Sequence, residues 1–211
     1  MLEKLACAYG RNDEIPNIEL AVELCEKNDK DGIKEIVSGL NSKDCKVAND
    51  CIKVLYEIGE RKPFLIADYA DIFLSLLNSK SNRLVWGSMT ALSNIVDFVP
   101  NIIYKKIHLV LHAFNNGSVI TVDTCITVLA KLCKINQEYH NYIFPLLMEH
   151  LKKCRPKEVA QHAERISICI DENSLGQFIA VLDNRIDYLS NAQQTRITKL
   201  KNMLKKIYFI T

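Results

Sequence analysis

The chain runs to 211 residues with 27 basic and 25 acidic side chains, a net charge of +2 that points to no oppositely charged partner. Apolar residues make up 48% and charged residues 25%, which excludes a disordered or low-complexity chain. Seven glycines, five prolines and 8% aromatics are too few for a turn-rich β-sandwich or barrel, and no stretch approaches the roughly 18 unbroken apolar residues of a membrane span.

In chain order, a short helix within 1–9 and a loop at Asn12-Asp13 come first. The apolar spacing then predicts helices over 17–28, 30–40, 44–59, 64–77, 81–97, 101–114, 118–134, 137–153, 157–171, 174–189 and 191–207. Ser42, Asp44, Ser81, Ser118, and Ser190 with Gln193 three residues on, stand where a side-chain oxygen can take the free N–H groups that begin a helix. Pro63, Pro100 and Pro156 fall at helix starts, where a missing N–H costs little, and no proline is expected to interrupt a helix centre.

The helices repeat. Gly39-Leu40-Asn41-Ser42-Lys43 recurs 37 residues on as Leu76-Leu77-Asn78-Ser79-Lys80, and further steps of the same length reach Ala113, His150 and Asp187. Flanking apolar columns keep step: Ile33, Ala70, Ile107, Phe144, Val181; Ile36, Phe73, Val110, Leu147, with Asn184 breaking the pattern; Leu40, Leu77, Phe114, Leu151, Tyr188. A second stripe follows each turn: Ile52, Met89, Ile126, Ala163; Leu55, Leu92, Leu129, Ile166, Met203; Ile58, Ile95, Leu132, Cys169. Each unit therefore reads as two amphipathic helices that cannot bury their apolar faces alone but can do so by stacking. Cys51, Ser88 and Cys125 share one column and Val54, Ala91 and Val128 another, small residues that let neighbouring helices approach. The expected organisation is one domain, with a cap over 1–29 and repeats over 30–61, 62–98, 99–135, 136–172 and 173–211.

Eight cysteines lie within mostly apolar stretches, no two of them form a Cys-x-x-Cys pair, and the first residues lack the long apolar core of a signal peptide. Buried free thiols in a reducing cytoplasm are expected. Charge is unevenly spread: residues 1–60 sum to −5 and residues 152–211 to +5. That gradient is read either as steering for a partner or as two differently solvated ends. The apolar end Tyr208-Phe209-Ile210-Thr211 is expected to fold back or to meet another chain.

A first helix ending in a Leu-Leu turn, followed by a second helix with an Ala-Leu pair, resembles a HEAT repeat. The clearest stretch is Phe73-Leu74-Ser75-Leu76-Leu77-Asn78-Ser79-Lys80 with Asn82 to Ile95, echoed by Cys125-Ile126-Thr127-Val128-Leu129-Ala130. Val85, Ala48 and Val122 stand where HEAT units often carry Arg, which places the chain in the broader armadillo/HEAT-like class. The resemblance implies an all-α, right-handed α-α superhelix of about five two-helix units. It also implies a non-enzymatic scaffold that binds a protein or peptide along its concave face, lined by the second helices.

Ladders off the core stripe of those helices are the expected partner-binding positions: Asn49, Trp86 and Asp123 in one, Lys53, Thr90 and Thr127 in the next. Trp86 reads equally as an exposed anchor or as a wedge between repeats. Enzyme chemistry finds little support. His108 and His112 have ligand-competent spacing but no third ligand nearby, and no phosphate-cradling glycine loop or nucleophile elbow occurs. No catalytic residue, cofactor or metal is assigned. The alternative function is nucleic-acid binding through Lys199, Lys201, Lys205 and Lys206, with Trp86 and Asp123 facing the same groove. No membrane partner is expected.

Overall fold

The computed structural model describes residues 1–208, and every regular element among them is helical. Of the apolar end, Tyr208 is placed, its hydroxyl donating to the Ile170 carbonyl oxygen at 2.5 Å. Phe209, Ile210 and Thr211 lie outside the described residues. The chain gathers into two compact units, Met1–Cys125 and Ile126–Thr211.

The first unit opens on two 3-10 turns, Leu2–Lys4 and Ala6–Tyr9, the second closed by Gly10 in the left-handed region at φ 66°. Then come α1 (Ile15–Lys27), α2 (Lys30–Gly39), α3 (Cys45–Arg61), α4 (Ala70–Leu76), α5 (Asn82–Ile95), α6 (Pro100–Lys105) and α7 (Ile107–Asn116). Helices α1, α3 and α5 pack side by side as one layer, and α2 and α4 pack against it from the second layer, with α6 and α7 beside α4. Asp29, Asp44 and Ser81 accept from the backbone N–H of Gly32, Lys46 and Leu84, fixing the starts of α2, α3 and α5.

Helix α8 (Val119–Ile135) carries the chain from one unit into the other. The second unit continues with α9 (Gln137–Lys153), α10 (Pro156–Ile166), α11 (Glu172–Asp183) and α12 (Asn191–Tyr208). The alternation repeats: α9 packs on α11, and α10 on α12. Asn136 and Asp171 cap α9 and α11. Among the described residues, no helix is long and apolar enough to cross a membrane.

The core is built from most of the expected columns, with Ile107 and Phe114 only half-buried. Ile33, Ile36, Phe73, Val110 and Leu147 on first helices, and Ile52, Leu55, Ile58, Met89, Leu92, Ile95, Ile126, Leu129, Leu132, Ala163 and Ile166 on second helices, have no exposed surface. Burying each of the larger side chains stabilises the fold by about 1.5–3 kcal/mol. The small columns Cys51, Ser88, Cys125 and Val54, Ala91, Val128 are likewise sealed. At Gly87 the approach of α5 to α3 leaves no room for a side chain: a Cβ there would stand 2.6 Å from Ile52 Cγ1.

The structure corrects the predicted elements in several places, and the helices expected over 157–171 and 174–189 already end at Ile166 and Asp183, each followed by a 3-10 turn. The helices expected over 64–77 and 101–114 are broken. Ile66 (φ −118°, ψ 1°) leaves helical geometry and buries its side chain fully between the 3-10 turns Pro63–Leu65 and Ala67–Tyr69. Lys106 (φ −113°, ψ 26°) separates α6 from α7 and sends its Nζ to Asp71 Oδ1 at 2.8 Å. The repeat over 62–98 thus holds four helical pieces, two of them 3-10 turns, and the repeat over 99–135 holds three.

Pro145 does lie inside a helix, α9. Its ring is on the exposed side and the carbonyl deprived of a partner belongs to exposed Asn141, so water can replace the lost hydrogen bond. Finally, the fifth repeat slips by one residue. Tyr188 and Met203 are exposed (72% and 48%), and Leu189 and Leu204 are buried instead (6% and 2%). The 3-10 turn Ile186–Tyr188 supplies the slip.

Candidate functional site

The middle helix of the first layer sets the site's chemistry. Flanked by α1 and α5 and backed by α2, α3 is buried all round from Cys51 to Gly59. Polar side chains on that stretch must find partners or carry a large desolvation cost. Lys53 does so: its Nζ lies 2.6 Å from Glu57 Oε1, one turn on, and 2.9 Å from Glu14 Oε2 at the entry to α1. Glu57 also accepts from Arg61 Nη1 at 2.5 Å, and Glu14 also accepts from Arg83 at the start of α5. The result is an alternating row, Arg83, Glu14, Lys53, Glu57, Arg61, tying α1, α3 and α5 together.

The row shifts its own protonation. Burial pushes the Glu57 carboxyl up, but Lys53 and Arg61 outweigh it and hold the group below its ordinary range. Burial likewise raises Glu14, and Lys53 and Arg83 bring it below the usual value. Burial lowers Lys53, and Glu57, Glu14 and Tyr56 more than reverse it, so the ammonium is held charged.

Two aromatic rings lie along this row. Tyr56 and Trp86 meet at 5.6 Å between centroids with planes inclined by 44°. Lys53 Nζ sits 4.8 Å from the centre of the Tyr56 ring, and the Arg83 guanidinium 4.3 Å from that of Trp86. Trp86 is half-buried, leaning on α3 on one side and covered by Arg83. It packs against the neighbouring helix through Tyr56 and keeps part of its surface open.

The other expected positions are placed as follows. Lys53 was expected on an open ladder and is buried instead, 6% exposed, because α3 is the flanked helix of its layer. Asn49 is half-buried with its Oδ1 covered and without a hydrogen-bond partner. The Thr90 hydroxyl donates to the Trp86 carbonyl oxygen at 2.9 Å, a local bond within α5. Asp123 on α8 is half-buried. In the second unit, half-buried Thr127 accepts from Arg165 Nη1 at 2.5 Å. Asn49, Lys53, Trp86, Thr90 and Asp123 belong to the first unit and Thr127 to the second.

Sequence reasoning missed Glu14, Tyr56, Glu57 and Arg83. The i,i+4 spacing of Lys53 and Glu57 was a readable signal; Glu14 is separated from Arg83 by 69 positions and left none. Of the histidines singled out, His108 and His112 are exposed, and Asn116 Nδ2 donates to the His112 carbonyl oxygen at 3.0 Å. On the basic last helix, Arg196 pairs with Glu164 at 2.5 Å and Lys201 pairs with Asp183, while Lys199, Lys205 and Lys206 are exposed.

No protein-family model and no curated protein sequence matches the chain. Solved structures do match. An engineered protein aligns over 95% of this chain and 93% of its own at a TM-score of 0.61 and 16% identity. A computationally designed armadillo-repeat protein for modular peptide recognition aligns over 88% and 90% at 0.66 and 12%. A chain from work on a phosphorylation switch controlling the interaction between cadherin and beta-catenin aligns over 93% of this chain but 43% of its own, at 0.58 and 14%. At such identities the likeness shows the fold alone. The fold is an all-α solenoid of the armadillo/HEAT-like kind, as the repeat implied.

Proposed function

We propose that the chain is a non-enzymatic scaffold that captures a protein or peptide on the surface formed by α1, the first turns of α3, and α5, with Trp86 as the anchor. The carrying observation is the Tyr56–Trp86 pair held between Lys53 and Arg83. A half-open tryptophan, pre-set by a cation above it and an aromatic ring beside it, loses little freedom on binding. Lys53 is a positioning residue in this reading, since its charge is used inside the row. Asn49 and Thr90 border the anchor on the same two helices, and Asp123 lies on α8 in the same unit; Thr127 belongs to the second unit and stands outside this proposed surface. The designed armadillo protein for peptide recognition and the chain from the cadherin and beta-catenin work lend the reading support by analogy of fold. Eight free thiols suit a reducing, cytoplasmic setting.

The test compares affinity capture by the unaltered chain, Trp86→Ala and Arg83→Gln, with helicity checked by circular dichroism. Partners retained by the unaltered chain are expected to be lost at least tenfold from Trp86→Ala, as for an interface anchor worth about 2 kcal/mol. An identical partner set from all three proteins of equal helicity would overturn the reading. Capture that instead depends on Lys199, Lys205 and Lys206 and collapses with added salt would move the function to nucleic acid.

A further inference from the structure

In the second unit, the hairpin between α9 and α10 brings three metal-ligating side chains together. His150 stands in the last turn of α9, Cys154 is the residue that ends that helix, and His162 lies in the middle of α10. One ligand atom from each falls within 4.8 Å of the others. His150 Nε2 and His162 Nδ1 are 2.9 Å apart, with ring centroids 5.0 Å apart. The group is sheltered: His162 has no exposed surface and Cys154 only 8%.

We propose that His150, Cys154 and His162 form a binding site for a zinc-like divalent ion, with a fourth position open to a water or an exogenous ligand. Two imidazole nitrogens and one sulfur are the borderline-soft donor set that zinc takes, and three protein ligands leave one tetrahedral position free. In a tetrahedral zinc site, bonds of about 2.0–2.1 Å put two nitrogens about 3.3 Å apart. The two rings therefore need to part by only about 0.4 Å, the ion replacing the hydrogen bond they share.

The backbone that carries the thiol is already fixed. Arg185 on the neighbouring segment donates to the carbonyl oxygens of Leu151 at 2.8 Å and Cys154 at 2.7 Å, and also to that of Lys152. It thereby satisfies the free carbonyls at the end of α9. Pro156 at the first position of α10 stiffens the other side of the turn. Cys154 also lines a groove of about 620 Å³ with Arg155, Val181, Arg185 and Tyr188, so the residue that carries the thiol borders open space. His-x3-Cys-x7-His matches no familiar spacing because the third ligand comes from the next helix rather than from a paired motif.

The experiment uses the full chain, stripped with a chelator and titrated with Zn²⁺ against a chromophoric competitor, and separately with Co²⁺. One equivalent of zinc is expected to bind. Cobalt is expected to give the strong visible bands of a tetrahedral site with a near-ultraviolet thiolate charge-transfer band. Cys154→Ser should remove that band, and Cys154→Ser and His150→Gln should each weaken zinc by more than about 100-fold, the upper end of what losing a mere supporting residue costs. His150 is half-buried, so His150→Gln is expected to keep its helicity. His108→Gln with His112→Gln should bind as the unaltered chain does. Zinc bound no more tightly by the unaltered chain than by the Cys154→Ser, His150→Gln double variant would overturn the proposal. So would a cobalt spectrum without the thiolate band, or zinc lost only with His108 and His112.

Discussion

Lys53 Nζ and Glu57 Oε1 meet at 2.6 Å across one turn of α3, with both residues less than 10% exposed. A buried pair of this kind contributes less to net stability than it would cost to break, since either partner alone would be a buried charge. Glu14 and Arg61 extend the pair to solvent and share its charge. The carboxyls of Glu14 and Glu57 are both held below their ordinary range. A depressed folded-state pKa gives stability that is complete above the unfolded value of about 4.3 and is lost as pH falls through the folded value. Denaturant unfolding from pH 7 to pH 3 is expected to show the unaltered chain losing its advantage over Glu57→Gln. That advantage is about 2 kcal/mol at neutral pH, below the usual cost of breaking a buried pair because Lys53 keeps Glu14. A pH-independent gap would mean the carboxylate is not what stabilises the row.

Gly87 lets α5 lie against Ile52 of α3. An added methyl would come 2.6 Å from Ile52 Cγ1, and Ile52 is itself fully buried. Helix propensity favours Gly87→Ala by about 1 kcal/mol, and overpacking opposes it by about 1–3 kcal/mol. The variant is expected to melt lower. Ile52→Val should restore part of the loss in the double variant, so that the two changes are not additive. Additive losses would place the strain elsewhere.

Ser88 has no exposed surface, and its Oγ has no hydrogen-bond partner. An unpaired buried hydroxyl costs about 1–3 kcal/mol in desolvation. Ser88→Ala keeps the small volume the column needs and is expected to raise stability by up to about 1 kcal/mol. A lower denaturation midpoint in Ser88→Ala would show that the hydroxyl is satisfied in solution.

Thiol labelling reports the core directly. Cys45 is exposed, Cys7 is partly covered, and the other six cysteines are buried. Burial, aided by Asp50, pushes the Cys7 thiol up to about 11, and burial pushes Cys51 up to about 12. Since the thiolate is the reactive form, one fast-reacting thiol is expected at pH 8 in the folded chain and eight after denaturation. Loss of the fast thiol in Cys45→Ser identifies it, and several fast thiols in the folded chain would contradict the packing described.

Much of the molecule was legible in one dimension because its contacts are periodic. A residue such as Leu55 or Leu92 is buried by neighbours that recur at a constant interval, so spacing alone marks it as core. The same regularity gave the helix pairs; of the caps, Asp44 and Ser81 were legible, whereas Asp29, Asn136 and Asp171 were not. It failed where the interval changed: the one-residue slip that exposes Tyr188 and buries Leu189, and the breaks at Ile66 and Lys106. Side-chain chemistry was another matter. Whether Lys53 met water or Glu14 depended on α1 and α5 closing over α3, and whether His162 had a thiol and a second imidazole beside it depended on how the α9–α10 hairpin folds back. Repetition fixes which residues turn inward; only the packing of elements far apart in the chain decides which polar groups share the interior, because those distances follow no period.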